Sequence, residues 1–260
     1  MSYVTEPNFP REASAVLIGD QAAAFLRDSL VSLGIACIEV PNNPDVDERL
    51  SGHADLSVLH LGGNRLLLAG YLKGSTFSEE LRDQGFQLSF LSVPQEAVYP
   101  RDAGLNLGLM GEYLICNQKT ASQQALERAH SGRRLVQTRQ GYSRCASCFV
   151  DRRSLITEDA GIASSAERAG LTVLRIQPGA VVLPGFSHGF LGGASFLLSP
   201  RRLAFTGRLE RHPDRDRILS FLRERAVEPV YLTDRPILDI GSAVPIIENE
   251  ANASAFASFL

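Results

Sequence analysis

One segment recurs four times along this chain and is left half-finished at its end. Each copy reads as a strand, a tight turn, a second strand, a helix and a third strand. The first strands are expected to begin near Asp55 (HADLSVLHLG), Asp102 (PRDAGLNLGL), Cys145 (SRCASCFV) and Gly193 (LGGASFLL), and a fifth near Asp239 (LDIGSAVPII). These anchors lie 47, 43, 48 and 46 residues apart. Hairpin turns fall at Gly62-Gly63-Asn64, Met110-Gly111-Glu112, Asp151-Arg152-Arg153 and Ser199-Pro200-Arg201, where turn chemistry is expected. The helices follow the second strands. Their expected caps are Ser75 or Thr76, Thr120, Thr157, and His212 with Pro213 at the first helical position. Gly85, Gly132 and Gly170 stand where left-handed C-terminal caps belong.

After DIGSAVPII the chain runs out before another strand, helix and strand can fit. The missing parts stand at the other end. SAVLIGD (14–20) reads as a second strand, Asp20 caps the helix QAAAFLRDSLVSL, Gly34 ends it, and IACIEV is a third strand stopped by Pro41. The N-terminus is therefore expected to complete the last unit. The fold class is α/β: a five-bladed, pseudo-symmetric α/β propeller closed by the N- and C-terminal segments, forming one domain over residues 1–260. Closure removes the sheet edges that an open array leaves exposed. An ordinary doubly wound α/β sheet is the competing arrangement, since alternating strands and helices alone suggest it.

Composition sets the outer limits. A chain of 260 residues with 44% hydrophobic content can bury a full core. Only the first dozen residues resemble a linker. No apolar run approaches the roughly 18–20 residues of a membrane helix, and MSYVTEPNFPRE lacks a signal peptide's apolar core. Four cysteines without a secretory signal point to free thiols in a reducing cytoplasm. A net charge of −3 counts against a nucleic-acid partner. The basic run RRLAFTGRLERHPDRDR is offset by acids and reads as a solvated face.

If each first strand lies innermost, its starting residue faces the centre. That column holds Asp55, Asp102, Cys145, Gly193 and Asp239, with His53, Asn106, Cys148, His188 and Ser242 beside it. A thiol, two imidazoles and three carboxylates would then share one concavity. Such surroundings shift pKa values and can turn a cysteine into a nucleophile.

The repeated unit and its N-terminally completed fifth copy resemble the pentein fold, the α/β propeller of guanidino-group-modifying enzymes. These include arginine deiminases, agmatine deiminases and dimethylarginine dimethylaminohydrolases. GYSRCASCFVD, LPGFSHGFLGGASF and LDIGSAVPI resemble more specifically an uncharacterised bacterial family of penteins. The likeness spans about residues 14 to 247. It implies a cysteine attacking a guanidinium or amidine carbon, a histidine moving protons, and carboxylates holding the cationic substrate. His53-Ala54-Asp55 matches the spacing of the His-x-Asp element, with the histidine as acid/base and the aspartate on the guanidinium. In the resemblance that element belongs to a later blade, and here it sits in the first complete one. The nucleophilic cysteine of the resemblance stands in the closing blade, where this chain carries Ser242. Cys145, from another blade, is the available thiol.

Each candidate also has a structural explanation. Cys145 and the carboxylates could serve as core and turn caps. Cys148, three residues beyond Cys145, would face the opposite side of a strand and reads as core, as do Cys37 and Cys116. A lone CxxC without a second pair is a weak metal signal. The glycines flanking His188 would let backbone approach a ligand, or simply make tight turns. His60, His130 and His212 read as structural, and Asp45, Asp47 and Glu48 as a solvated loop.

The expected function is a cytoplasmic hydrolase or transferase acting on a guanidine, amidine or related C–N substrate. Cys145 attacks; His53 or His188 moves the proton; Asp55, Asp102, Asn106, Asp239 and Ser242 hold a small cationic molecule. No cofactor and no metal are required. Two alternatives stand beside it: a non-catalytic binding protein on the same scaffold, as in the pentein-like ribosomal anti-association factor, and a metal-assisted hydrolase built from His53, Asp55, His188 and Asp239.

Overall fold

Each repeat folds as its pattern of apolar residues and turns dictates, and the same small sheet results each time. The computed structural model describes residues 2–249. In the first complete unit, Val58–Gly62 pairs antiparallel with Arg65–Leu68, and the helix Thr76–Asp83 carries the chain over to Gln87–Phe90, parallel to the middle strand. The same order recurs in the sheets of Gly108–Met110, Tyr113–Cys116 and Arg134–Gln137; of Cys148–Asp151, Ser154–Thr157 and Thr172–Arg175; and of Ser195–Ser199, Arg202–Phe205 and Glu228–Tyr231. The sheets are separate, which excludes the doubly wound arrangement.

The fifth sheet joins the two ends of the chain. Val244–Glu248 pairs antiparallel with Ala13–Gly19, the helix Asp20–Ser32 follows, and Ala36–Val40 lies parallel to Ala13–Gly19. Ser2–Tyr3 adds a fourth strand on the free side of Val244–Glu248. The opening dozen residues are thus not the linker their composition suggested. Their order has a physical cause: Glu248 is buried and accepts from both the backbone N–H and Nε of Arg11, at 2.7 and 2.9 Å.

The helices of eight residues or more each bury one stripe at helical spacing. Ala22, Ala23, Leu26 and Leu30 form it in the helix Asp20–Ser32, and Ile218, Phe221 and Leu222 in Arg215–Arg223. Three caps lie two residues later than the sequence suggested, at Ser122, Asp159 and Asp214. Thr120, Thr157 and His212 instead close the preceding turn: Thr157 donates to the Ala146 carbonyl, and His212 accepts from the Asp214 N–H. The first strands also begin later than their anchors, at Val58, Gly108, Cys148, Ser195 and Val244. The anchors occupy irregular or helical lead-in segments, such as the single turn Ala54–Ser57. Cys145 therefore lies outside any strand, and the argument that placed it opposite Cys148 across one does not apply.

Leu17 and Ile246, from opposite ends of the chain, are fully buried in one cluster with Val244, Leu66 and Phe86. Leu17→Ala and Ile246→Ala should each lower the unfolding free energy by about 2–5 kcal/mol in urea titrations, with one cooperative transition retained.

Candidate active site

The lead-in segments before the five first strands converge. Cys145 sits in the turn before Cys148–Asp151, and its position is fixed from the neighbouring unit. Asn106 Oδ1 accepts from the Arg144 and Cys145 N–H groups at 2.8 and 3.2 Å, and Asn106 Nδ2 donates to Cys145 Sγ at 3.3 Å. The Cys145 carbonyl accepts from Gly193 N–H at 2.9 Å. The thiol donates to Asp55 Oδ2 at 2.8 Å. Asp55 belongs to the turn Ala54–Ser57, whose N-cap is His53. The backbone N–H of Asp55 reaches the Gly241 carbonyl of the closing unit at 3.3 Å.

Asp239 completes the group. Its Oδ1 accepts from Gly241 N–H at 3.0 Å and its Oδ2 from Phe190 N–H at 2.8 Å. His53 Nδ1 lies 3.9 Å from Asp239 Oδ1. Potential ligand atoms of His53, Cys145 and Asp239 all fall within 4.8 Å of one another. The glycine-rich segment makes this closeness possible. A Cβ on Gly193 would stand 2.0 Å from Asp239 Oδ1, and one on Gly241, at φ +68°, 2.4 Å from His53 Cβ. Those glycines make room for the site's own side chains rather than for a ligand.

Burial governs the electrostatics. Asp55 and Asp239 are 4% exposed and Cys145 is 3% exposed. Desolvation pushes the Asp55 carboxyl up to about 6, against the opposing pull of His53 and the thiol hydrogen bond. Burial first, then the charges of Asp55 and Asp239, raise the Cys145 thiol well above its ordinary range. In this arrangement the sulfur holds its proton and directs it at Asp55.

His53, Cys145 and Asp239 open onto a cavity of about 440 Å³ that His188 also lines. His188 Nδ1 rests 3.0 Å from the Gly189 carbonyl; a carbonyl only accepts, so that nitrogen carries a proton. Asp55, Asp102, Asn106 and Ser242 are not among the lining residues. Asp102 accepts from the Tyr142 hydroxyl and so fixes a tyrosine that does line the cavity. Ser242 accepts from Arg144 at 2.7 Å and donates to the Ser195 carbonyl at 2.9 Å. A larger groove, about 720 Å³, is bordered by Lys119, Arg139 and Arg168 and offers no thiol, imidazole or carboxylate.

Sequence reasoning missed two residues. Arg144 is buried, with its guanidinium donating to Asn8, to the Ser147 and Gly192 carbonyls and to Ser242. Glu158, buried and raised by desolvation to about 7, accepts from Leu191 N–H at 2.8 Å and holds the glycine-rich segment. The only signal for Arg144 was its place beside Cys145; Glu158 had none. The alternative metal set of His53, Asp55, His188 and Asp239 does not match the cluster, in which Cys145 stands with His53 and Asp239.

Asp55 gives a stability test. Its folded pKa is raised from about 3.8 to about 6, so its contribution is fully present below the unfolded value and is lost as pH rises through about 6. Asp55→Asn keeps an acceptor for the thiol and removes that loss. Its stability relative to wild type should rise by on the order of 2–3 kcal/mol between pH 4 and pH 8, measured by urea titration at both. No such rise would refute the buried-carboxylate account.

Several solved structures have a similar fold. The inosamine-phosphate amidinotransferase of Streptomyces griseus matches with a TM-score of 0.59 at 10% identity, covering 96% of this chain and 98% of that one. C. jejuni agmatine deiminase matches at 0.56 and 9%, covering 89% and 90%. The DDAH of Pseudomonas aeruginosa, as a cysteine-to-serine variant with citrulline, matches at 0.52 and 8%, covering 91% and 100%. The mixed α/β fold with small sheets is therefore similar to that of the pentein enzymes. A search of curated protein sequences gives no match. A family model does match, over residues 17–244, and the chain belongs to that family, DUF6873, a family of unknown function.

Proposed function

We propose that this protein is a hydrolase or transferase that breaks a C–N bond of a guanidinium or amidine, with Cys145 as nucleophile. The observation that carries this reading is the cavity wall itself, where Cys145, His53 and Asp239 stand within 4.8 Å of one another and Asp55 receives the thiol hydrogen bond at 2.8 Å. The similar folds of amidinotransferase, agmatine deiminase and DDAH support the chemical class. The five sheets are the blades of one five-bladed α/β propeller whose hub is this site, and four unpaired cysteines suit a cytoplasmic compartment.

In the reaction, the substrate cation rests on Asp239 beside the sulfur. Its positive charge opposes the two carboxylates that hold the thiol proton, and so lowers the thiol pKa. The proton passes to Asp55, the sulfur attacks the electrophilic carbon, and a C–S bond forms as the C=N π pair moves onto nitrogen. His53 protonates the leaving amine, which departs with the C–N electron pair. Water, or an acceptor amine in a transferase, then adds to the same carbon and gives its proton to His53, which restores the imidazolium. The C–S bond breaks, and Asp55 returns the proton to sulfur. Asn106 holds the sulfur; Asp102 holds Tyr142; Ser242 holds Arg144.

Cys145→Ala should abolish turnover of amidine substrates and labelling by an electrophilic amidine probe; full activity in that variant would remove Cys145 as nucleophile. Because Asp55 must be ionised to accept the proton, kcat/KM should fall as pH drops below about 6, the value to which burial raises it. Asp55→Asn should lower kcat by about 10²–10⁴.

One observation favours a second reading. His53, Cys145 and Asp239 offer nitrogen, sulfur and oxygen ligands at a spacing that a small inward shift would suit to zinc. Elemental analysis of the purified protein decides it: stoichiometric zinc, lost in Cys145→Ala, would favour a metal centre over a free nucleophile.

A further inference from the structure

The cavity is asymmetric in its chemistry. Its polar wall holds one carboxylate, Asp239, beside Cys145, His53 and His188. The rest is mainly apolar, Leu50, Leu56 and Leu183 with Tyr99, Phe186 and Phe190, and its remaining polar groups, Gln140, Tyr142 and Ser187, carry no positive charge. Among the described residues, no lysine or arginine lines it. The two nearby arginines face elsewhere. Arg144 is buried behind Cys145, where its donors go to Asn8, Ser242 and two backbone carbonyls. Arg49 lies 4.2 Å over the Phe186 ring, but its guanidinium is held by both Asp47 oxygens and donates to the Gly185 carbonyl at 2.8 Å. Asp47 is lowered to about 2, chiefly by that hydrogen bond, so the pair stays ionised. Tyr142 directs its hydroxyl proton at Asp102.

We infer that the substrate is a guanidinium or amidine with an apolar tail and no carboxylate, its cation on Asp239 and its tail against Tyr99, Phe186 and Phe190. This rests on the guanidinium or amidine chemistry proposed above and deepens it. A carboxylate on the tail would lose its water against leucine and aromatic side chains with no cationic partner, and that loss is not recovered. An apolar tail gains with each methylene it buries. Arg49 then acts as a fixed clamp on Phe186 that keeps the aromatic wall in place, and is a positioning residue.

The test is a substrate series of methyl-, propyl-, hexyl- and 4-phenylbutylguanidine, with agmatine and arginine. The efficiency kcat/KM should rise about fourfold per methylene until the cavity fills, and arginine should fall about 100-fold or more below hexylguanidine. Calorimetric binding to Cys145→Ser should follow the same order. Phe186→Arg, which places a cation on the wall, should raise kcat/KM for arginine at least about tenfold and lower it for hexylguanidine. Arginine turned over as well as hexylguanidine, or no dependence on tail length, would overturn the inference while leaving the C–N chemistry standing. Tail-graded binding with no turnover of any member would do the reverse: it would support the cavity's specificity and overturn the enzymatic reading.

Discussion

The pairing of Val244–Glu248 with Ala13–Gly19 is the constraint on which the rest depends. It joins opposite ends of the chain, and the entropy of closing so long a loop grows only logarithmically with its length. Once made, the pairing sets where Asp239, Gly241 and Ser242 lie. Gly241 offers its carbonyl to the Asp55 N–H, and Ser242 takes a guanidinium nitrogen of Arg144. Residues of the last unit thereby fix the residues that hold Cys145. A chain lacking this strand pair would keep four sheets and lose the register of the site.

Much of the architecture was legible because it rests on local rules repeated from unit to unit. Apolar alternation, a hairpin turn, a helix with one buried stripe and a closing glycine recur at nearly constant spacing, so each copy checks the others. Gly34, Gly85, Gly132 and Gly170 all adopt the positive φ that their positions call for. The order in which the chain ends complete the fifth sheet followed from counting what was missing.

The site was legible only in part, for a physical reason. Its polar residues sit in lead-in segments whose conformation is set by hydrogen bonds to other units. Asn106 is defined by the backbone of Cys145, and Asp239 by the N–H groups of Phe190 and Gly241. No period in the sequence carries that information. The repeat aligned Asp55, Cys145 and Asp239 and placed His53 and His188 beside its anchors; in the structure His53, Cys145, His188 and Asp239 line one cavity, and Asp55 takes the thiol hydrogen bond. The same column suggested substrate contact for Asp102 and Ser242, but a column gives position without giving the partner: Asp102 meets Tyr142 and Ser242 meets Arg144. Arg144 had no assigned role in the sequence and is buried, with four acceptors from four segments around it.

Charge balance around Cys145 bears on the cationic substrate proposed above. Asp55 and Asp239 are buried with one buried guanidinium, Arg144, whose hydrogen bonds go to neutral acceptors rather than to either carboxylate. With both acids ionised the group carries one uncompensated negative charge in a desolvated place. Burial is the first cause of two shifts there: desolvation raises Asp55 to about 6, and desolvation followed by the charges of Asp55 and Asp239 drives the Cys145 thiol well above its ordinary range. A bound cation relieves both at once, which couples binding to formation of the thiolate. A neutral ligand of the same shape would fill the cavity and leave the sulfur protonated. On the proposed mechanism, the carboxylates that hold the thiol proton are the same groups that reserve thiolate formation for a positively charged substrate.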